Sequence, residues 1–262
     1  MLLRDIVRRF EMMNRIGERE MGETERRIAE SLSRDLQNWI GDTPLGQFID
    51  RPSSVDLNAS VLSFETKKIA ESGGLQSVGM MVLTNLIMRW MMRDQTKRKR
   101  VIVEELRSMT DTPQAIQTTA TLFSTAAKYN TAVTVINQGA QIFNNPALDG
   151  ILNNASIFLL FRLPRDEAAT IVSKLELPEN LIDTIVKLRS LKGVYSECLA
   201  AVRRSDAVFE GGVIRIQTSA LEYWHYTSDK DDKPLRESII AKHGGNRHAA
   251  MIELATDWKV TF

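Results

Sequence analysis

Two predicted strands end in polar side chains that could act on one ligand. Glu104 and Glu105 directly follow the apolar run 101–103, and Gln138 follows shortly after a second apolar run, 133–136. In a parallel α/β sheet the ligand lies outside the carboxyl ends of the strands. The sequence therefore predicts that these three side chains meet at one edge of a sheet.

These residue types suit the hydrolysis of a nucleotide. An acid at such a strand end can hold Mg²⁺ through water, and the next acid can polarise the attacking water as a general base. We predict Glu104 as the cofactor-binding and magnesium-binding residue, Glu105 as the catalytic base, and Gln138 as a catalytic residue that senses the γ-phosphate. Adjacent glutamates also occur on ordinary solvated surfaces, so the pair alone does not decide the function.

A phosphate-binding loop of the form G-x-x-x-x-G-K-[ST] normally accompanies such a site, and the sequence contains none. The nearest stretch, residues 41–48, has Gln47 where the lysine must be and Phe48 where the magnesium-binding hydroxyl must be. It also follows a predicted helix instead of a strand. We therefore interpret it as an ordinary turn.

Composition excludes several classes of protein. The 34 Lys and Arg residues nearly balance the 33 Asp and Glu residues, which gives a formal net charge of +1 and no global attraction to a polyanion. A single cysteine, Cys198, excludes an internal disulfide and a cysteine metal cluster, and it fits a reducing, cytoplasmic location. The three histidines lack metal-site spacing. The apolar stretch 78–92 is too short and too polar to span a bilayer.

Hydrophobic periodicity predicts helices at both ends of the chain and an alternation of strands and helices between them. Residues 1–40 read as helix with a break between Gly17 and Gly22, and residues 42–54 read as a loop. The next elements are predicted strands at 60–65, 100–105, 132–137 and 157–161. Predicted helices lie at 74–92, 111–129, 166–175, 178–188, 234–242 and 247–258, and antiparallel strands at 195–202 and 213–218 flank 210–212.

Strands separated by single helices indicate an α/β fold with a mostly parallel sheet flanked by helices. The N-terminal helical region and a C-terminal antiparallel hairpin with helices complete the predicted architecture. The continuous apolar runs favour strands that are covered on both faces. A basic run at 97–100 precedes the acidic strand, and it fits either a solvated loop or a contact with DNA or a neighbouring subunit.

Short stretches along the chain carry a resemblance to a known family. They are PLGQFID at 44–50, the acid-ended strand 101–105, AKYN at 127–130 running into VINQ at 135–138, and tail motifs at 195–197, 220–224, 227–228 and 244–246. In their order and spacing the chain resembles the C-terminal portion of conjugation and type IV secretion ATPases of the VirB-four, TraC and TrbE type. These belong to the FtsK/HerA branch of RecA-like motors.

Three positions depart from the pattern of that family. Glu104 stands in place of an aspartate and is one methylene longer, Ala127 stands in place of an arginine, and Asn137 stands in place of a threonine. Lys128 is then the only cation that matches, and the resemblance implies that it binds the nucleotide. These departures bear on whether the site is active.

The resemblance implies a partial RecA-like motor, with residues 1–54 as a helical insertion region and residues 55–262 as the C-terminal motor portion. ATP and Mg²⁺ are the implied cofactors of the complete protein, with none expected to bind tightly to this chain. It implies a hexamer, other secretion-machinery subunits at the inner membrane as partners, DNA or protein as substrate, and a cytoplasmic location peripheral to that membrane. We expect the phosphate loop upstream of the helical region, with Met1 as an internal start.

Two other functions stay open at this point. The chain could be a catalytically inert structural or docking module that kept the fold and lost the site. The altered acid at Glu104, Ala127 and the missing loop favour this alternative. It could also be another DNA translocase of the superfamily, if the run 97–100 lines a pore.

Overall fold

The computed structural model describes residues 2–16, 22–66, 69, 73–106, 113–204 and 209–258. The chain forms two compact units, Met1–Val82 and Leu83–Phe262. Within the described residues, no helix combines the length and the apolar character needed to cross a membrane. The predicted boundary between residues 54 and 55 stays a prediction.

The N-terminal unit begins with two helices, as the periodicity predicts. These are α1 (Leu3–Ile16) and α2 (Glu23–Leu36), and most of the predicted break between them lies outside the described residues. The α2 helix starts where the Glu25 carboxylate accepts the Gly22 N–H at 3.1 Å. That contact satisfies one of the amide groups that a helix start leaves unpaired.

The predicted loop at 42–54 contains a short helix, so this prediction was partly wrong. The helix α3 (Pro44–Ile49) forms because Thr43 Oγ1 accepts the Gly46 N–H at 2.9 Å and Pro44 occupies the first turn. A side chain at Gly46 would lie 2.4 Å from the Ile40 carbonyl carbon. Only glycine therefore fits this close approach.

A buried carboxylate ties this unit together. Asp50 is 0% exposed, and its Oδ1 accepts the Arg4 N–H at 2.9 Å. Its Oδ2 accepts the Gly41 N–H at 3.0 Å and lies 2.7 Å from Arg4 Nε. Burial acts to raise the pKa of Asp50, but the Gly41 and Arg4 hydrogen bonds and the Arg4 charge together hold it below its ordinary value. Asp50 is therefore a structural anchor for α1.

The predicted strand at 60–65 is not a strand. Residues 61–66 are irregular, and the Val61 side chain is 83% exposed. A strand is stabilised by its ladder and by burial of one face, and apolar composition alone supplies neither. The long helix that follows is present as α4 (Gly73–Arg93).

The C-terminal unit contains a parallel strand pair. The strands β1 (Lys99–Glu104) and β2 (Thr131–Ile136) pair in parallel, and α5 (Pro113–Thr125) lies between them along the chain. Val101 and Val103 are buried, but Ile102 is 61% exposed. We expected both faces of this strand to be covered, but only the face that carries Val101 and Val103 is buried.

A four-stranded antiparallel sheet forms the rest of the unit's β structure. Its strands are β3 (Ile157–Leu160), β4 (Ser190–Leu191), β5 (Tyr195–Arg203) and β6 (Phe209–Gln217), and β5 pairs with each of the others. The predicted hairpin of β5 and β6 is confirmed. We expected the strand at 157–161 to join the parallel sheet, but β3 pairs antiparallel with β5 instead.

Packing explains where β3 lies. Phe158 pairs with Ala201, and both share one buried core with α7 (Arg165–Lys174) and α8 (Leu181–Lys187). Gly211 lies inside β6 instead of in the predicted turn. A side chain at this position would meet the Ala200 carbonyl oxygen at 1.9 Å, so only glycine fits. This glycine lets two strands approach each other, a use that sequence alone does not reveal.

The remaining described elements are short or C-terminal. They are α6 (Asp149–Asn154), α9 (Ala220–Tyr226), α10 (Asp232–Lys242), α11 (Arg247–Asp257) and short 3₁₀ turns, among them Ala126–Tyr129 and Gln141–Asn144. Trp224 anchors a small core with Ala250, Met251 and Leu254 of α11. The predicted helices at 234–242 and 247–258 are confirmed, whereas α9 was not predicted.

Candidate functional site

The register of the parallel pair brings the predicted site residues to one edge. Glu104 is the last residue of β1 and pairs with Ile136, the last residue of β2. Glu105 directly follows β1, and Gln138 lies two residues beyond Ile136. All three predicted side chains are exposed to solvent. The edge therefore presents two carboxylates and an amide where a ligand of a parallel sheet binds.

Glu105 leaves the strand through an unusual backbone conformation. Its φ is 58°, a left-handed value that residues other than glycine seldom adopt, and its N–H donates to the Ile136 carbonyl at 2.9 Å. The next side chain, Leu106, is completely buried. This sharp turn keeps the Glu105 carboxylate at the rim of the sheet while the chain re-enters the core. Such backbone strain is concentrated at functional sites.

The loop that carries Gln138 is closed by two side chains. The Asn137 side-chain amide donates to the Gly139 carbonyl at 2.8 Å, and the Ala140 N–H donates to Glu167 Oε2 at 2.7 Å. Gly139 has a φ of 84°, which favours glycine. Asn137, which stands where the resembled family has threonine, thus stabilises the loop through its contact with Gly139.

Lys128 lies at the opposite end of the same strands. It is exposed in the 3₁₀ turn Ala126–Tyr129, directly before β2 begins at Thr131. A strand of this length spans roughly 17–20 Å. The structure therefore brings Glu104, Glu105 and Gln138 together but does not bring Lys128 to the same edge.

The basic run shares the edge of Lys128. Residues 97–100 lead into the amino end of β1, and the Lys99 N–H donates to the Asn130 carbonyl at 3.0 Å. Within the run, Lys97 Nζ lies 3.5 Å from Asp94 Oδ2 and Lys99 Nζ donates to the Asp94 carbonyl. Side-chain and backbone hydrogen bonds from Thr96, with the Lys97 charge, lower the pKa of Asp94 despite opposing burial. Two of the four cations are thus engaged within their own turn.

The edge residues fit one half of a nucleotide site. In sites of this class Mg²⁺ uses one or two carboxylates, water and substrate phosphates, and the exposed Glu104 oxygens at a strand end suit that arrangement. The other half of such a site is the loop that binds the phosphates, and the 262 residues contain no motif for it. Groups of three or more residues suited to a metal ion are absent from the part of the chain that the structure describes.

A polar network near the C terminus was missed by sequence reasoning. Lys192 Nζ lies 3.1 Å from Asp229 and 3.2 Å from Asp232, and Asp232 also accepts hydrogen bonds from the Tyr223 and Thr227 hydroxyls. The hydrogen bond to Asp229 raises the pKa of Lys192 against a smaller opposing effect of burial. The network joins residues that lie far apart in sequence, so no local pattern signals it.

An open cavity of about 420 Å³ adjoins this network. Its lining is Lys192, Thr218, Glu222, Tyr223, Tyr226, Thr227, Ser228 and Asp229. Of the charged groups that line it, Lys192 and Asp229 pair with each other, and Glu222 accepts hydrogen bonds from Ser219. None of the four predicted site residues lines the cavity. We therefore assign the network to stability and keep the edge of β1 and β2 as the candidate site.

Comparison with known proteins agrees with this architecture. The family model of the TraG P-loop domain matches residues 42–258. The solved structure of VirB4 of Thermoanaerobacter pseudethanolicus is similar in fold, with a TM-score of 0.55 and 21% sequence identity over 75% of this chain. The match covers 50% of that VirB4 chain, so this sequence corresponds to about half of its length.

No curated protein matches the chain at a significant level. The α/β fold, with its parallel pair and antiparallel sheet, is nevertheless confirmed as VirB4-like. The family model extends over most of the 262 residues and includes the whole candidate site. The chain therefore belongs to the TraG P-loop domain family.

Proposed function

We propose that this chain is the acid-and-sensor part of a conjugation or type IV secretion ATPase, which couples ATP hydrolysis to substrate transfer or pilus assembly. The observation that carries the proposal is the parallel register that brings Glu104, Glu105 and Gln138 to one exposed edge. Membership in the TraG P-loop domain family supports the same function. The VirB4-like fold supports the architecture.

Each edge residue has a distinct role in the proposal. Glu104 holds Mg²⁺ through water, and Glu105 accepts a proton from the attacking water as general base. Gln138 donates or accepts a hydrogen bond at the γ-phosphate and responds to its loss. ATP with Mg²⁺ supplies the phosphoryl group when bound.

Lys128 takes a separate place in this scheme. Because it lies at the other end of β2, it does not reach a nucleotide held by the acids of its own subunit. In the proposed ring of six copies of the complete motor, Lys128 would face the nucleotide of a neighbouring copy. The segregation of basic and acidic groups to opposite ends of β1 and β2 supports this arrangement.

We propose that a phosphate loop which is not part of residues 1–262 completes the site, since these residues contain no such motif. We propose that ATP and Mg²⁺ bind tightly only when that loop is present. We further propose a cytoplasmic location beside the inner membrane, held there by other secretion-machinery subunits, with DNA or protein as the transported substrate.

A second candidate is a catalytically inert structural or docking module. The observation that favours it is the missing phosphate loop, together with the longer acid at Glu104 and the absent arginine at Ala127. The DNA-translocase reading is weakened because Lys97 and Lys99 already contact Asp94.

One measurement separates the two leading functions. ATP turnover and ATP binding are measured for the chain alone and for the motor completed with a phosphate loop. We expect no turnover and weak binding by the chain alone, and clear turnover by the completed motor. A completed motor that binds ATP but does not hydrolyse it would favour the inert module, and micromolar ATP affinity of the chain alone would contradict the proposal.

A further inference from the structure

We infer that Glu167 is a positioning residue that holds the Gln138 loop against α7 and links the candidate site to the antiparallel sheet. The inference that Gln138 acts on a phosphate rests on the proposed function. The inference that Glu167 fixes the loop rests on geometry alone. Glu167 lies in the first turn of α7, 27 residues beyond the loop that it contacts.

The contact itself is close and directional. Glu167 Oε2 accepts the Ala140 N–H at 2.7 Å, a distance typical of a charge-assisted hydrogen bond. At Gly139 an added side chain would lie 2.5 Å from the same oxygen. The carboxylate therefore occupies the space beside Gly139 that any larger residue would need. Its position and the φ of 84° at Gly139 define one conformation of the loop.

The loop is attached to the same body at a second point. Ala140 is 2% exposed and belongs to the core that contains Phe158 and Leu199 of the antiparallel sheet. Ala168, the residue after Glu167, is fully buried in that core as well. The backbone on both sides of the hydrogen bond is thus packed, and Gln138 lies two residues before the anchored Ala140.

This geometry predicts a mechanical consequence. A displacement of the loop at Ala140 must either break the Glu167 contact or move α7 and the strands that pack on it, because packed cores do not deform continuously. Glu167 would therefore set the position of Gln138 before a nucleotide binds. It would also pass a change at the sheet edge to the antiparallel sheet.

Hydrogen exchange of the chain without nucleotide tests the contact. In Glu167→Ala we expect the Ala140 amide to exchange about tenfold faster, because one charge-assisted hydrogen bond is lost. Glu167→Gln keeps an acceptor oxygen of the same reach and should restore much of the protection. Asp166→Ala, a change at the exposed acid next to it in the same turn, is the matched control and should leave exchange unchanged.

The exchange results decide the inference without any assumption about activity. Equal exchange at Ala140 in the wild type and Glu167→Ala would overturn it. So would equal effects of Glu167→Ala and Asp166→Ala, since both changes remove one negative charge from the start of α7. Unchanged far-ultraviolet circular dichroism confirms that the variants are folded.

Turnover of the completed motor tests the link to Gln138. We expect Glu167→Ala to lower kcat several-fold with little change in the KM for ATP, and Gln138→Ala to mask this effect in the double variant. If Gln138→Ala slows turnover and Glu167→Ala does not, the positioning role fails and the proposed function stands. If Gln138→Ala leaves turnover unchanged, the sensor role fails, and the exchange results still decide whether Glu167 holds the loop.

Discussion

Two sets of acids in this protein differ in what surrounds them. Glu104 and Glu105 lie at the end of β1 with exposed side chains, whereas the side chains of Asp50 and Asp232 are 0% and 13% exposed. Asp50 accepts two backbone N–H groups and pairs with Arg4. Asp232 accepts two hydroxyl groups and pairs with Lys192.

The difference separates function from stability. A buried carboxylate must have its hydrogen-bonding capacity satisfied by the protein, because an unpaired buried charge is costly. An exposed carboxylate at the end of a parallel strand can instead contact a ligand. We therefore expect changes at the edge to affect turnover more than unfolding, and changes at Asp50 and Asp232 to do the reverse.

The largest effect is expected for Glu105→Gln in the completed motor. Glutamine keeps the size of the side chain but cannot accept the proton from the attacking water. ATP turnover should fall by about 10²- to 10⁴-fold while ATP binding is retained. Steady-state hydrolysis and calorimetric binding measure the two quantities.

The matched control is Glu176→Gln. Glu176 is also an exposed glutamate with a left-handed backbone, φ 55°, but it follows α7 instead of β1. Its substitution should leave turnover unchanged. Unchanged turnover in Glu105→Gln would remove the general-base role. An unfolding midpoint lowered as much by Glu105→Gln as by Asp50→Asn would contradict the separation of edge acids from structural acids.

The second prediction concerns Asp50→Asn, for which we expect the largest loss of thermal stability. The asparagine carries no charge to balance Arg4. Its one side-chain oxygen can accept only one of the Arg4 and Gly41 N–H groups in the present geometry, and its NH₂ group would then face the remaining N–H. The unfolding midpoint followed by circular dichroism should fall by many degrees. The control is Asp42→Asn, since the Asp42 side chain is 96% exposed and pairs weakly with Arg51 at 3.5 Å. This change should leave the unfolding midpoint nearly unchanged. Equal midpoints for the two variants would contradict the anchor role.

The third prediction concerns the pH dependence of the Lys192 network. A hydrogen bond from the Asp231 N–H and the contact with Lys192 lower the pKa of Asp229, whose ordinary value is 3.8. For Asp232, burial opposes the lowering, but hydrogen bonds from Tyr223 and Lys192 prevail and the pKa is again below 3.8. Because the folded pKa values are depressed, the stabilisation is present above about pH 3.8 and is lost as the pH falls through them.

Lys192→Met tests this dependence. Its unfolding midpoint should lie a few degrees below that of the wild type at neutral pH, and the gap should narrow as the pH falls below about 3.8. Thermal melts between about pH 2 and pH 7 measure both effects. The control is Lys230→Met, a change at an exposed lysine directly after Asp229. A gap that does not change with pH would show that the network does not contribute through its charges.

The smallest effect is expected for Ser219→Ala at the start of α9. Ser219 Oγ accepts the Glu222 N–H at 3.2 Å, and Glu222 Oε2 accepts the Ser219 N–H at 2.9 Å. Loss of this capping box should lower the free energy of unfolding by about 1 kcal/mol, measured by urea denaturation. Ser228→Ala, at an exposed serine beyond the helix, should have no effect, and equal losses in both variants would argue against the cap.

Local sequence patterns predicted the helices and strands that neighbouring residues specify by their spacing alone. The helices α1, α2 and α4 follow from apolar spacing, and β1 and β2 follow from apolar runs. Ser219 and Glu222 have capping-box spacing, so α9 was also recognisable, although it was not predicted. The candidate edge residues were predicted for the same reason, because each lies within two residues of the end of a short apolar run.

Other features depend on residues that are distant in sequence. The antiparallel partner of β3 is β5, and the pairing of Phe158 with Ala201 is decided by the core that both share. The contact of Glu167 with Ala140 spans 27 positions, and Asp50 contacts Arg4 across 46. No local propensity specifies such partners, since burial and strand pairing select them only in the folded chain.

By itself the sequence determined which chemical groups follow the strands and that no phosphate loop accompanies them. The tertiary structure decided which of these groups can act together. Because β1 and β2 run in the same direction, Glu104, Glu105 and Gln138 share one edge, whereas Lys128 lies at the other. Strand direction and register are long-range properties, so a side chain that follows a strand and one that precedes it are separated only once the sheet has formed.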